Sequence, residues 1–270
     1  MFASLIFDLE PDGPVEFIGD HLHGWFIGLV KARDAALANR LHAPVRGKPF
    51  TLWAGPRFSL GQAGMSRDAT DLGYWLRITS VDLTLTTLLA RFATAPETRV
   101  VFLGRSRFKR VATFADADQH AWTGVATAKD LWATNMAGPQ RRGRVRLSFL
   151  SPTAFSRGRS STTLLPIGQL VFRSLIKTWN ENTVPTIDDA LEAELLGVIQ
   201  EEAHEIHSVS PLRFQDHKLK GFVGSCEYSC GRKSSEDARR LLHLLSDFAF
   251  FAGVGLKRTM GMGQVIGEDA

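Results

Sequence analysis

The sequence predicts an α+β protein built from two tandem ferredoxin-like (RRM-like) βαββαβ domains, and three observations predict it. In the first half, apolar strand-like runs alternate with helical periodicities in the order β-α-β, β-α-β, which is the order of that fold. The second half repeats the order as β-α…β-α-β after a polar, glycine-containing stretch, Ala137 to Gly143, that suits a linker. The length, 270 residues, is enough for two domains of about 130 residues each. The expected domains are therefore 1–136 and 144–270. The two halves share no repeat at the level of residues, so the duplication rests on pattern alone.

Phe2 to Leu9 is apolar and reads as a buried strand, and Pro11-Asp12-Gly13-Pro14 closes it with a turn. Asp20 can cap a helix, and Leu22, Trp25, Phe26, Leu29 and Val30 then fall on one helical face. A short helix fits Asp34 to Leu41 with Asp34 as its cap; His42 stands at its end and Pro44 prevents continuation. Lys48 to Trp53 and Trp75 to Val81 read as strands, Asp82 to Phe92 as a helix, and Arg99 to Phe114 as a hairpin with a basic middle, Arg105, Arg107, Lys109 and Arg110. Arg144 to Leu150 alternates charged and apolar residues like a half-buried strand. Leu170 to Trp179 is an amphipathic helix, and an acidic helix follows with Leu191, Leu195, Val198 and Ile199 on its apolar side. Lys220 to Tyr228 is a strand, Ser234 and Asp237 approximate a capping box for a helix reaching Ala252, and Gln264 to Ile266 is a last strand.

Between that helix and that strand lie two glycine pairs, Gly253/Gly255 and Gly261/Gly263, around a centre that carries Lys257 and Arg258. Glycine accepts φ > 0 and close backbone approach. Such a loop can present its N–H groups to an anion, and the two cations suit phosphate. The order helix, loop, strand is the reverse of a dinucleotide fingerprint, so a phosphodiester backbone fits better than a nucleotide cofactor. The net charge of +4 hides a segregation: Ile187 to His207 holds seven acids and no Lys or Arg, which leaves +11 on the remainder. A basic body of this kind suits a polyanion.

Cys226 and Cys230 are the only cysteines. On one strand they stand ~13 Å apart, too far to bridge, and C-x-x-x-C alone is a poor zinc signature. These features, with no basic-then-apolar N-terminal segment and no apolar run of transmembrane length, predict a cytoplasmic protein with no membrane association. His204 and His207 (H-E-I-H) lack the spacing of a metal helix, so no metal site and no cofactor are expected. His120, His217 and His243 have no evident partner, and no Ser or Cys nucleophile pattern is present. His42, at a helix C-terminus, and Lys48, at the start of a strand, flank one tight turn and can converge on a phosphate. The imidazole can move a proton and the ammonium can stabilise phosphorane charge.

Three segments give the chain a resemblance to the CRISPR-associated repeat-processing endoribonucleases of the RAMP superfamily. Gly253 to Gly263 fits that family's C-terminal G-h-G-x(5)-G-h-G loop at every position. Leu150 to Phe155 followed by Leu165-Pro166 and a helix reaching Trp179-Asn180 is the second segment, and Leu22-His23-Gly24 through Leu41-His42 to Lys48-Pro49-Phe50-Thr51 is the third. The resemblance implies binding of CRISPR repeat RNA and one metal-independent cut per repeat. In that reaction the ribose 2′-OH attacks the adjacent phosphate, leaving a 5′-hydroxyl and a 2′,3′-cyclic phosphate. It places the catalytic histidine at His42 and its basic partner at Lys48. The family's third member, often a tyrosine, has no clear counterpart, and His23 is the substitute.

The RNA-binding set expected with it is Gly253, Gly255, Lys257, Arg258, Gly261 and Gly263 in the loop, and Arg141, Arg142, Arg144, Arg157 and Arg159 between the domains. Repeat RNA is the partner it implies, with other subunits of a CRISPR effector complex and a homodimeric state left open. Two rival readings stand beside it. One is a non-catalytic RNA-binding subunit in which His42 only caps a helix. The other is a metal-dependent nuclease that uses the acidic helix.

Overall fold

β1 (Phe2–Pro11) is apolar on both faces, and its first six residues are all buried. That continuous run makes it the middle strand of the first sheet. The computed structural model describes residues 1–43, 47–57, 73–139, 142–158, 161–231 and 234–270. Around β1 lie β2 (Phe50–Pro56), β3 (Tyr74–Ser80), β4 (Val100–Leu103) and β5 (Ser106–Phe114) in the order β2-β3-β1-β5-β4, each neighbouring pair antiparallel. A bulge interrupts the pairing of β1 with β5 at Asp8/Leu9.

Three helices cover one face of this sheet: α1 (Gly19–Lys31), α2 (Ala35–His42) and α3 (Leu83–Phe92). Their buried residues, including Leu22, Phe26, Val30, Leu41, Leu85 and Leu89, share one core with Leu5, Phe7, Phe50, Ile78 and Phe108. Asp34 and Asp82 cap α2 and α3 by accepting from the N–H of Leu37 and Leu85, both at 2.8 Å, the bond that satisfies an otherwise open helix donor. Asp20 is not a cap. α1 starts two residues earlier than such a cap would set, at Gly19 with Ile18 as N-cap, and the Asp20 carboxylate instead accepts from Gln215 N at 3.0 Å. Pro44 lies outside the described residues.

A short β6 (Gly124–Ala126) and α4 (Ala128–Met136) follow. The second sheet has the order β10-β11-β7-β12, formed by β7 (Arg144–Thr153), β10 (Ile199–Arg213), β11 (Lys218–Cys230) and β12 (Val265–Asp269). α5 (Gly168–Asn182), α6 (Asp189–Val198) and α7 (Glu236–Ala252) complete a second βαββαβ pattern, and β8 (Phe155–Ser156) with β9 (Thr162–Thr163) make a small hairpin. Both sheets therefore place the first strand of the pattern between the third and the last, as the two-fold ferredoxin-like prediction requires.

The compact units are Met1–Val125 with Leu212–Leu219 and Lys257–Gly261, and Ala126–Pro211 with Lys220–Leu256 and Met262–Ala270. The first unit thus closes at Val125, before the 137–143 stretch. α4 goes with the second unit because Asn135, buried, donates to Asp247 of α7 at 2.8 Å.

The acidic stretch is not one helix. α6 stops at Val198, where Gly197, Val198 and Ile199 disfavour further helix, and Glu201, Glu202 and Glu205 lie on β10. Glu201 and Glu202 are used within the second unit. Glu201 accepts from the N–H of Gly168 at the start of α5. Glu202 accepts from Ser229 and lies 3.7 Å from Arg144. Glu227 pairs with Arg146 and stands 3.9 Å from Arg144. The cap of α7 is Ser235, whose Oγ accepts from Ala238 N, rather than Ser234 with Asp237. No helix among the described residues is long and apolar enough to cross a membrane.

Trp179 closes the second core. Fully buried, it lies edge-on to Phe248, 5.0 Å between centroids, and its Nε1–H donates to Pro185 O at 2.8 Å. Asn180 extends the same hold by donating to Ile187 O and accepting from Ile187 N. Trp179→Ala should lower the unfolding free energy by ~3–5 kcal/mol, measured by urea denaturation. A loss under about 1 kcal/mol would mean that the pocket collapses around the truncated side chain.

Candidate active site

An eight-residue helix leaves its last carbonyls open, and α2 ends on His42. Lys48 satisfies that end: its Nζ donates to Leu41 O at 2.6 Å and also to Ala43 O. The ammonium has three donors, so one remains. Burial lowers the Lys48 pKa from its usual value. The turn expected to bring His42 and Lys48 together is thus closed by Lys48 itself, with His42 left exposed at the surface.

His23 comes from the buried face of α1. Its ring centroid lies 5.7 Å from that of His42, and it stacks on Phe50 at 6.0 Å with 16° between the planes. Burial first, then the charges of Lys48 and His42, lower its pKa to about 4, against a smaller upward pull from the backbone of Thr259. His23 is therefore a neutral imidazole at physiological pH, with its Nδ1 buried and unpartnered. His21, two residues earlier, points elsewhere, with its Nδ1 accepting from Ile18 N at 3.3 Å. The three expected catalytic residues, His23, His42 and Lys48, thus come together within the first unit.

The glycine segment has all four glycines at positive φ: Gly253 60°, Gly255 77°, Gly261 99° and Gly263 72°. Val254 and Met262, the apolar residue inside each pair, are fully buried anchors. Several of its N–H groups bond main chain: Val254 N to Gly263 O, Leu256 N to Ala154 O and Gly263 N to Pro152 O in the second unit, and Gly261 N to Leu52 O in the first. These donors are committed to the fold rather than to a ligand. A Cβ on Gly255 would lie 2.5 Å from Ala154 O, which adds a packing reason for glycine there.

Of the two loop cations, Arg258 is buried, with 6% of its surface exposed, whereas Lys257 is half-buried with its Nζ 5.2 Å from the centre of the Phe214 ring. Phe214 also stacks with His217 at 5.1 Å. Lys257 adopts a left-handed backbone, φ 55°, which non-glycine residues take uncommonly.

Arg142, Arg144 and Arg157 belong to the second unit and are exposed, Arg144 with the acid partners already described. Arg141 and Arg159 lie outside the described residues. His204 and His207 are exposed on β10, where a spacing of three sends them to opposite faces. Two histidines without an evident partner in the sequence do have one. His243 stands with Nδ1 3.0 Å from Asp269 and Nε2 2.5 Å from Arg142 O. His120 accepts from Trp122 N at 3.0 Å and packs against Trp75 and Phe114. The His243 contacts, and the packing of His120 on Trp75, join segments far apart in sequence, so no local spacing announces them.

A family model described as "CRISPR-associated endoribonuclease Cas6" matches residues 147–265. A relative described in the same words, from Mycobacterium tuberculosis strain H37Rv, is 26% identical over 272 residues, covering 97% of this chain and 77% of that protein. A Thermus thermophilus Cas6 in a product complex superposes with a TM-score of 0.83 at 25% identity, covering 99% of this chain and 100% of that one. A second Cas6 product complex gives 0.80 at 27% identity, with 99% of each chain covered.

Two outcomes follow from the geometry of His23 and Lys48. Because the folded protein holds His23 near 4 and the unfolded chain near 6.5, the unfolded state binds more protons between those values. Stability should fall as pH drops from about 6.5 toward 4. In His23→Phe the fall should be shallower, with a residual slope from His120, also depressed by burial; identical urea midpoints against pH would contradict the assignment. Lys48→Met should cost ~1–3 kcal/mol through two unsatisfied carbonyls, read from thermal unfolding, whereas Lys48→Arg should recover part of it.

Proposed function

Starting from the chain's membership of the Cas6-type family of CRISPR repeat-processing endoribonucleases, we propose that it cuts one phosphodiester in each repeat of precursor RNA without a metal ion. The observation that carries the reading is His42, exposed at the end of α2 beside a neutral His23 and fixed by Lys48. The RNA supplies the nucleophile. Its 2′-oxygen bonds to phosphorus, the bond to the 5′-oxygen breaks, and the 2′ proton passes to solvent. His42 gives a proton to the departing 5′-oxygen. The products are a 2′,3′-cyclic phosphate and a 5′-hydroxyl. His23, with a pKa of about 4, is too weak a base to hold a proton at neutral pH. Its part is to wall the His42 ring on one side. The remaining donor of Lys48 stabilises charge on the phosphorane.

RNA is recognised through its backbone and exposed bases. Lys257, Arg142, Arg144 and Arg157 are the described cations assigned to phosphate, with Arg141 and Arg159 completing the set. Arg258 supports the loop from inside.

His42→Ala should slow single-turnover cleavage by about 10²–10⁴ while repeat-RNA affinity changes little. Wild-type cleavage should persist in EDTA and vanish on a repeat with one 2′-deoxyribose at the cut. Loss of cutting in EDTA, restored by a divalent ion, would replace this mechanism with a metal-dependent one. Tight binding without any cut would make the chain a binding subunit. Lys257→Ala should weaken RNA binding and reduce the salt slope by about 0.7–0.9.

A further inference from the structure

The hairpin β4–β5 is the basic feature that the catalytic reading leaves unused. From Arg99 to Val111 there are five Lys or Arg residues and no acid. Two have internal duties. Arg110 donates to Phe92 O at 3.1 Å and Ala93 O at 2.7 Å, capping the end of α3, and Arg107 pairs with Asp12. Lys109 stands opposite Glu10 in the ladder. Arg99, Arg105 and Lys109 are exposed, and no ion pair among the described residues involves them.

Burial first, then the nearby charge of Arg99, lowers the Arg110 pKa, so two like charges stand close together. They border an open groove of about 870 Å³ at the end of α3 and the outer side of β5, whose lining sets four cations, Arg99, Arg107, Lys109 and Arg110, against two acids, Glu10 and Asp12. On the same hairpin Phe102 is 54% exposed, the one exposed phenylalanine among the described residues. It faces Arg107 in the ladder.

An exposed aromatic ring on a sheet edge where cations outnumber acids is the combination that holds single-stranded nucleic acid. The ring stacks a base and the cations follow the phosphates. The core of a protein interface is depleted of charge, whereas this groove carries four cations. The position fits the same strand that meets His42. The first turn of α1 joins the two places within the first unit: a Cβ on Gly104, in the β4–β5 turn, would lie 2.4 Å from His21 Nδ1, and two residues on His23 faces His42.

We propose that the β4–β5 hairpin is a second RNA site, which takes a single-stranded stretch of the transcript outside the cleaved phosphodiester, with Phe102 stacking a base and Arg99, Arg105 and Lys109 meeting phosphates. The proposal rests on the repeat-RNA reading above. It adds length specificity, since an RNA that ends close to the cut does not reach the hairpin.

The test compares two end-labelled RNAs, the host's repeat alone and the repeat with an unpaired extension of about ten nucleotides on either side. For Arg105→Glu combined with Lys109→Glu, Kd for the extended RNA should rise tenfold or more, with the salt slope reduced by about 1.4 for two lost contacts. The short RNA should change less than twofold. Phe102→Ala, a surface truncation, should cost the extended RNA about fivefold or more without altering the salt slope. Equal losses on both RNAs would reveal general electrostatics and overturn the site. Unchanged affinity for the extended RNA would assign the hairpin to a protein partner and overturn it too. If the wild-type chain binds neither RNA, the repeat-RNA reading fails and takes this one with it.

Discussion

A helix that ends inside a protein must give its last carbonyls a donor, and at the end of α2 that constraint shapes the candidate site. The lysine that meets it also stands where a phosphate-stabilising cation is expected, so one side chain couples the local fold to the proposed chemistry. The histidine beside it is free to face outward because the carbonyls behind it are already bonded. The second histidine is held neutral by burial first and then by the same lysine. Charge, protonation and position at this place thus have a common origin in the turn from Leu41 to Phe50.

The glycine segment answers a related constraint differently. With four residues at positive φ and two fully buried apolar anchors, the chain turns sharply while many of its donors find carbonyls of neighbouring strands. Its glycines are therefore explained by backbone conformation and packing, and its charge by Lys257 at the surface. A sequence motif read as a ligand cradle is here first a device for passing the chain through crowded space.

Much of this architecture was legible in the residues. Apolar runs and aspartate caps located α2, α3 and most strands, and the glycine pairs with His42 and Lys48 carried the family resemblance. The stretch from Ile187 to His207 was misleading for a physical reason. Its apolar residues keep a helical spacing through Ile199, but the acids beyond are chosen for tertiary partners, Ser229, Gly168 and Arg144, and such partners leave no trace in local periodicity. The segregation of charge along the sequence is likewise partly cancelled in space. Arg144, expected on the basic surface, stands against Glu202, and its neighbour Arg146 pairs with Glu227. α4 and the bond from His243 to Arg142 were hidden because each depends on a residue about a hundred positions away.

β10 ends its sheet with one side unpaired, and almost every residue from Gln200 to Pro211 is exposed. An edge of that length is a template on which further strands can add. Glu201, Glu202 and Glu205 put like charge along it, so a second copy approaching edge to edge meets repulsion, and Pro211 withholds a donor near its end. The acids that support the sheet from within also keep the molecule from polymerising through it. Resistance to edge-to-edge growth is thus written into this strand by the same acids that bond Ser229 and the start of α5.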